Sequence, residues 1–230
     1  MSSFLNKTLL PSHTAEILFT QNCNLNCTYC FEKVKNTSCD MNTEDLYQKM
    51  TNNGTFYTIP FLRFYMFGGE PLANQPFLED LILRIEEDPD MVPDQKREYL
   101  SSICGSLTTN GTLIKKYIDF LKKYNFSFQI SLDGPEDIND LCRVDKAGNG
   151  HFKEIMENIQ LCKETGLWYS LHGALDVSNY KHFARINKWF AEQTIDSYKE
   201  ENRIENIFHS AESAPNLKVH HHLDREYLLN

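Results

Sequence analysis

Short apolar runs and amphipathic stripes alternate along this chain, and that alternation limits its fold more than any other feature. Glu16 to Thr20 reads as a first strand. Phe61 to Phe67, Ser102 to Thr108, Phe126 to Leu132, Leu167 to Leu175 and a weaker Ile204 to Phe208 read as five more. Between them, Phe77, Leu78, Leu81, Ile82 and Ile85 fall on one face of a helix, and Leu113, Ile114, Tyr117, Ile118 and Leu121 repeat that spacing. Phe152, Ile155, Met156 and Ile159 form a third stripe; Phe183, Ile186, Trp189 and Phe190 form a fourth. A shorter helix is predicted to start after Asn42 or Thr43, where Glu44 and Asp45 suit the positive end of the helix dipole. Segments 88–98 and 135–150 are polar, contain Pro or Gly, and read as loops.

Strands that alternate with helices build a parallel sheet with helices outside it. Six such units, where eight would close a barrel, predict an α/β chain folded as a partial (β/α)6 TIM-like barrel with parallel strands. The expected organisation is an N-terminal segment (1–14), the barrel (15–211) and a C-terminal tail (212–230). Such folds bind ligands at the carboxyl ends of their strands, so the residues just after each strand are where chemistry is expected.

Composition narrows the classes further. Lys plus Arg is 23 against 32 Asp plus Glu, a net charge of −9, which opposes general nucleic-acid binding. No apolar stretch approaches the roughly 18 residues of a membrane span. The start, Met1-Ser2-Ser3-Phe4-Leu5-Asn6-Lys7, lacks the pattern of a signal peptide, so a cytoplasmic location without membrane attachment is expected. Seven cysteines is high for such a protein, and an odd number argues against a complete disulfide framework.

Three of those cysteines follow the first strand as Cys23-Asn24-Leu25-Asn26-Cys27-Thr28-Tyr29-Cys30, a C-x3-C-x2-C triplet. Chance would give that spacing in roughly 0.6% of chains with this cysteine content. Three thiolates on one short loop suit a soft metal centre. A structural zinc site would need a fourth ligand, for which Cys39 is the nearest candidate. An iron–sulfur cubane held by three cysteines would instead leave one iron open.

Other strand ends carry further motifs. Gly68-Gly69-Glu70-Pro71 follows the second strand, where glycines permit close backbone approach and a carboxylate can pair with an ammonium group. Thr109-Asn110-Gly111 follows the third. Ser131-Leu132-Asp133-Gly134 ends the fourth, with Arg143 twelve residues after Ser131. A guanidinium there suits a carboxylate through its planar fork. Asp133 reads equally as a substrate-facing group or a turn cap. Tyr29 reads as a packing face for a ligand ring or as core. His172 on the fifth strand either enters the barrel mouth or is structural. Cys104 and Cys162 lie on strand and helix patterns and read as buried small hydrophobes.

The cysteine triplet, Gly-Gly-Glu-Pro, Thr-Asn-Gly and Ser-Leu-Asp-Gly, in this order over about residues 15–210, resemble the radical S-adenosylmethionine (radical SAM) superfamily, and within it the sulfatase-maturase and peptide-maturase branch. The resemblance implies that Cys23, Cys27 and Cys30 hold a 4Fe–4S cluster whose open iron chelates SAM. It implies one-electron cleavage of SAM to a 5′-deoxyadenosyl radical, which abstracts a hydrogen from a peptide or protein substrate. Gly68, Gly69 and Glu70 would hold the SAM amino group and Arg143 its carboxylate. Ser131 would also contact SAM, Asn110 would line the pocket, and Tyr29 would lie near the adenine. An external electron donor such as flavodoxin or ferredoxin, and an anaerobic or protected setting, are implied as well.

The chain also departs from that branch, whose members usually continue into a cysteine-rich domain with auxiliary clusters. Cys39, Cys104, Cys142 and Cys162 are scattered singly, and none follows Cys162. The expectation is that auxiliary clusters are lacking here, or that a separate partner chain supplies their role, and no general base is assigned. Two other readings stand beside the enzyme: a reduced relative that binds a peptide or partner around a structural cluster, and a zinc-stabilised binding domain.

Overall fold

The structure is a computed structural model and describes residues 14–32, 40–51, 63–105, 107–194 and 207–208. Strands β1 (Thr14–Leu18), β2 (Arg63–Phe67), β3 (Leu107–Thr109), β4 (Phe128–Ser131) and β5 (Tyr169–His172) form one parallel sheet in the order β1-β2-β3-β4-β5. Each strand pairs with the next in sequence, as in a barrel; a doubly wound sheet would reverse its order at a switch point. β6 (Ala174–Leu175) and β7 (Ile207–Phe208) form a separate parallel pair. The partial TIM-like arrangement expected from the sequence is thus present, with its last strand paired to β6 and not to β5. The single fifth strand expected at Leu167 to Leu175 is divided at Gly173, where a Cβ would stand 3.0 Å from the Phe190 ring and 3.1 Å from the Leu132 carbonyl.

The crossovers carry α1 (Thr43–Met50), α2 (Gln75–Glu87), α3 (Pro93–Cys104), α4 (Ile118–Lys123), α5 (Glu136–Cys142), α6 (Phe152–Thr165) and α7 (Phe183–Thr194). The start of α1 is set by Asn42, whose side chain accepts from the Glu44 N–H at 2.8 Å. α6 stops at Gly166, whose left-handed φ of 72° suits a residue without Cβ. α2 buries Phe77, Leu78, Leu81, Ile82 and Ile85 against the sheet, with Phe77 stacked on Phe19 at 4.8 Å. Each such side chain contributes about 1.5–3 kcal/mol on burial.

Three readings of the sequence are corrected. Ser102 to Thr108 is not one strand: Ser102, Ile103 and Cys104 close α3, and the strand proper is Leu107–Thr109. Segment 88–98 is not all loop, because Pro93 starts α3 and Tyr99, Ile103 and Cys104 are buried on one face of it. Segment 135–150 contains α5, which follows Pro135, places Glu136 and Asp137 in its first turn, and buries Ile138, Asn139 and Cys142. The stripe from Leu113 begins as a 3-10 turn at Lys115–Tyr117 before α4. Cys39, most of the 1–14 segment and the 212–230 tail lie outside the described residues.

The strands alternate with period two. Phe64, Met66, Leu107, Phe128 and Ile130 are buried in the hydrophobic core, while Tyr65, Phe67, Thr108, Gln129 and Ser131 line a cavity on the other face. Among the described residues no helix is long and apolar enough to cross a membrane.

Candidate functional site

The loop that leaves β1 is clamped from two sides. On one side the end of β2 continues the ladder: Gly69 N donates to the Thr20 carbonyl at 2.8 Å and Glu70 N to the Asn22 carbonyl at 2.7 Å. The two glycines make that approach possible. A Cβ on Gly68 would stand 2.6 Å from the Thr20 carbonyl oxygen, and one on Gly69 would strike the Gln21 and Asn22 carbonyls. Their missing side chains therefore serve the fit of this loop itself. On the other side Asn26 N donates to the Val144 carbonyl at 2.7 Å and Thr28 N to the Cys142 carbonyl at 2.9 Å. The segment after α5 is thus the second wall of the loop.

Cys23 is buried, and Cys27 and Cys30 are half-buried. They line one cavity of about 510 Å³ together with Tyr29, Gly68, Gly69, Asn110, Ser131 and Arg143. Of the ten residues to which the resemblance gives a role, Glu70 alone is absent from its wall. The cavity opens beyond the carboxyl ends of β1 to β5, as the fold rule requires. Its wall also holds Glu16, Phe31, Tyr65 and Gln129, which sequence reasoning did not single out. The period-two pattern was the available signal: Gln129 stands two residues before Ser131, and Tyr65 two before Phe67.

Among the described residues no three His, Cys, Asp or Glu side chains converge closely enough to grip a single metal ion. Cys23, Cys27 and Cys30 nevertheless line one and the same cavity. The donor set is also right, since thiolates are the usual ligands of iron–sulfur clusters.

Glu70 is wholly buried and turned into the protein. Its Oε1 accepts from Leu72 N at 3.0 Å and Thr109 Oγ1 at 2.8 Å; its Oε2 accepts from Asn110 N at 2.7 Å. The carboxylate ties the end of β2 to the end of β3. Burial pushes its pKa up to about 7, against the pull of those three donors and of Arg143.

Asp133 is the hub of the opposite wall. Its Oδ2 accepts from Tyr29 OH at 2.6 Å, its Oδ1 accepts from Ala174 N at 3.0 Å, and Arg143 Nε stands 3.1 Å from Oδ1. The Arg143 contact is an ion pair; Nε makes no well-aligned hydrogen bond. The guanidinium also lies over the Tyr29 ring, 5.6 Å from its centroid. Asp133, undecided from sequence, is thus a structural anion that orients both Tyr29 and Arg143. Burial alone would lower the Arg143 pKa, but the Asp133 carboxylate foremost outweighs it and raises it. Burial foremost holds the Tyr29 phenol well above its ordinary pKa, with Arg143 opposing.

Ser131 and His172 sit opposite each other across β4 and β5, and both line the cavity. Cys104 and Cys162 are buried, and burial pushes each thiol up to about 12, in keeping with an inert apolar role. Cys142 is also buried and lies 2.9 Å from the Ser178 hydroxyl.

A sequential parallel sheet with a cysteine-lined cavity at its carboxyl mouth defines the class: a partial β/α barrel. The family model of the radical SAM superfamily matches residues 17–190, and the chain belongs to that superfamily. It is 29% identical over 183 residues to a cysteine-type anaerobic sulfatase-maturating enzyme of Clostridium novyi, covering 76% of this chain and 46% of that protein. It is 25% identical over 186 residues to a serine-type anaerobic sulfatase-maturating enzyme of Bacteroides thetaiotaomicron, covering 76% of this chain and 40% of that one. Among solved structures, native anSMEcpe with bound AdoMet and Cp18Cys peptide matches with a TM-score of 0.63 at 27% identity, over 80% of this chain and 49% of that chain. The chain spans about half the length of the curated relatives it matches.

Proposed function

We propose that this chain is the radical-generating core of a radical SAM enzyme that acts on a peptide or protein side chain, in the manner of a maturase. The observation that carries the reading is the convergence of Cys23, Cys27, Cys30, Tyr29, Gly68, Gly69, Asn110, Ser131 and Arg143 on one cavity. Cys23, Cys27 and Cys30 would hold a 4Fe–4S cluster. When bound, cluster and SAM supply reductive cleavage of SAM and hydrogen abstraction from the substrate. The chain's own residues bind and orient.

Arg143 offers the SAM carboxylate a guanidinium already fixed by Asp133 and by the Tyr29 ring. The Gly68-Gly69 backbone lines the cavity and would receive the SAM amino group, and Glu70 braces that backbone from behind through Thr109 and Asn110. Ser131, Gln129 and Tyr65 give the cavity a polar floor that would receive SAM and substrate, and Tyr29 on the same wall would pack beside the adenine. The peptide substrate is supported by the sulfatase-maturating relatives and by the peptide-bound anSMEcpe structure. The electron would come from an external donor such as flavodoxin or ferredoxin.

The test is anaerobic reconstitution with iron and sulfide, followed by SAM and a strong reductant. The expected product is 5′-deoxyadenosine, found by chromatography. A chain that loads its cluster and never cleaves SAM overturns the enzyme reading.

A further inference from the structure

Asn110 is fixed at its backbone amide and at its side-chain oxygen and nitrogen. Its N–H donates to Glu70 Oε2 at 2.7 Å. Its side-chain oxygen accepts from the Thr112 N–H at 3.0 Å and from the Thr112 hydroxyl at 2.7 Å. A backbone N–H can only donate, so the atom facing it is the oxygen, and the amide cannot be flipped. The NH2 group therefore faces the cysteine loop. It donates to Asn24 Oδ1 at 2.9 Å, and it stands 3.9 Å from Cys23 Sγ.

Asn24 closes the ring, because its own Nδ2 donates to Thr112 Oγ1 at 2.8 Å. Asn110, Asn24 and Thr112 each donate to one member and accept from another, so the bonds polarise one another. Asn158 on α6 pins the turn from below, donating to the carbonyls of Gly111 at 2.8 Å and Thr112 at 3.1 Å. The result is a buried N–H dipole held beside one thiol of the triplet. A mobile surface amide would give no fixed field; this one has no other orientation available.

A hydrogen bond to a cluster sulfur stabilises added negative charge and so favours the reduced state. We infer that Asn110 is a positioning residue for Cys23: its amide donates to the Cys23 sulfur and keeps the cluster easier to reduce than the same three cysteines alone would. This rests on the cluster reading proposed above, and the experiment separates the two.

The full chain is reconstituted anaerobically, its iron and sulfide are counted, and its reduction is followed by electron paramagnetic resonance at controlled potentials. The variants are Asn110→Leu, which removes the donor, and Thr112→Val, which opens the ring and leaves the donor in place. Asn110→Leu is expected to lower the reduced-to-oxidised ratio at fixed potential about tenfold, a shift of about 59 mV for a one-electron couple. Thr112→Val should shift it less, in the same direction. Pulsed resonance of the wild type should show a proton coupling that vanishes in deuterated water. If Asn110→Leu fails to fold, Thr112→Val and that coupling decide. Full loading with unchanged midpoints, or a wild type without the exchangeable coupling, overturns this inference alone. A wild type that takes up no iron overturns the proposed function and this inference with it.

Discussion

The Tyr29 hydroxyl donates to Asp133 Oδ2 at 2.6 Å across 104 residues of chain. This bond fastens the cysteine loop after β1 to the turn after β4, and the same carboxylate holds Arg143 at the cavity wall. Tyr29→Phe keeps the ring under the guanidinium and removes the donor. Hydrogen bonds to charged groups contribute about 1.5–3 kcal/mol, so a loss of that size is expected. It should appear as a lower urea midpoint with an unchanged slope. An unaltered midpoint would mean that the bond does not hold the loop.

Removing one member of the buried Arg143–Asp133 pair leaves the other charge buried alone. Arg143→Ala is expected to cost about 3–5 kcal/mol. The Arg143→Ala/Asp133→Ala double variant should cost less than the sum of the singles, because no orphan charge remains. A denaturation cycle over the four proteins measures this coupling. Simple additivity would show that the two groups act separately.

Glu70 makes stability depend on pH in the direction opposite to a salt-bridged carboxylate. Its folded pKa is about 7 against an ordinary 4.5, so between those values the native state binds more protons than the unfolded chain. Its contribution is therefore fully present below about pH 4.5, falls as pH rises toward 7, and is level above. The full change is about 3 kcal/mol. Glu70→Gln cannot titrate and should flatten that slope. Melting curves from pH 5 to pH 8 on both proteins give the comparison; parallel curves would contradict it.

Gly69→Ala places a methyl group against the Gln21 and Asn22 carbonyls. Backbone on both sides leaves little room to yield, and overpacking of this kind costs about 1–3 kcal/mol. Because the displaced residues adjoin Cys23, iron bound per chain should fall along with stability. Wild-type iron content in this variant would show that the loop tolerates a wider spacing.

What the sequence disclosed was local and periodic. The cysteine spacing, the glycine pair and the motifs at strand ends could be read directly, because each lies on one short stretch with a fixed place in a β/α unit. The last residues of α3 read as strand because Ile103 and Cys104, met just before Leu107, make a short apolar run that periodicity alone does not assign. α5 reads as loop because its buried positions include Asn139, which accepts from Asp133 N, so its inner face is not uniformly apolar. The Tyr29–Asp133 bond and the bonds that tie Asn24 to Asn110 and Thr112 join residues more than 80 positions apart, and no single stretch contains both ends. Glu70 shows the converse: its position in the chain was evident, but the inward turn of its carboxylate depends on donors from the β3 end.

The most direct test of the central claim follows the reduced, reconstituted chain by electron paramagnetic resonance as SAM is added. The account predicts a cluster signal that changes on SAM addition, and no such signal in Cys27→Ala. A fully loaded wild type whose spectrum is indifferent to SAM, or a Cys27→Ala variant with the wild-type spectrum and response, would contradict it.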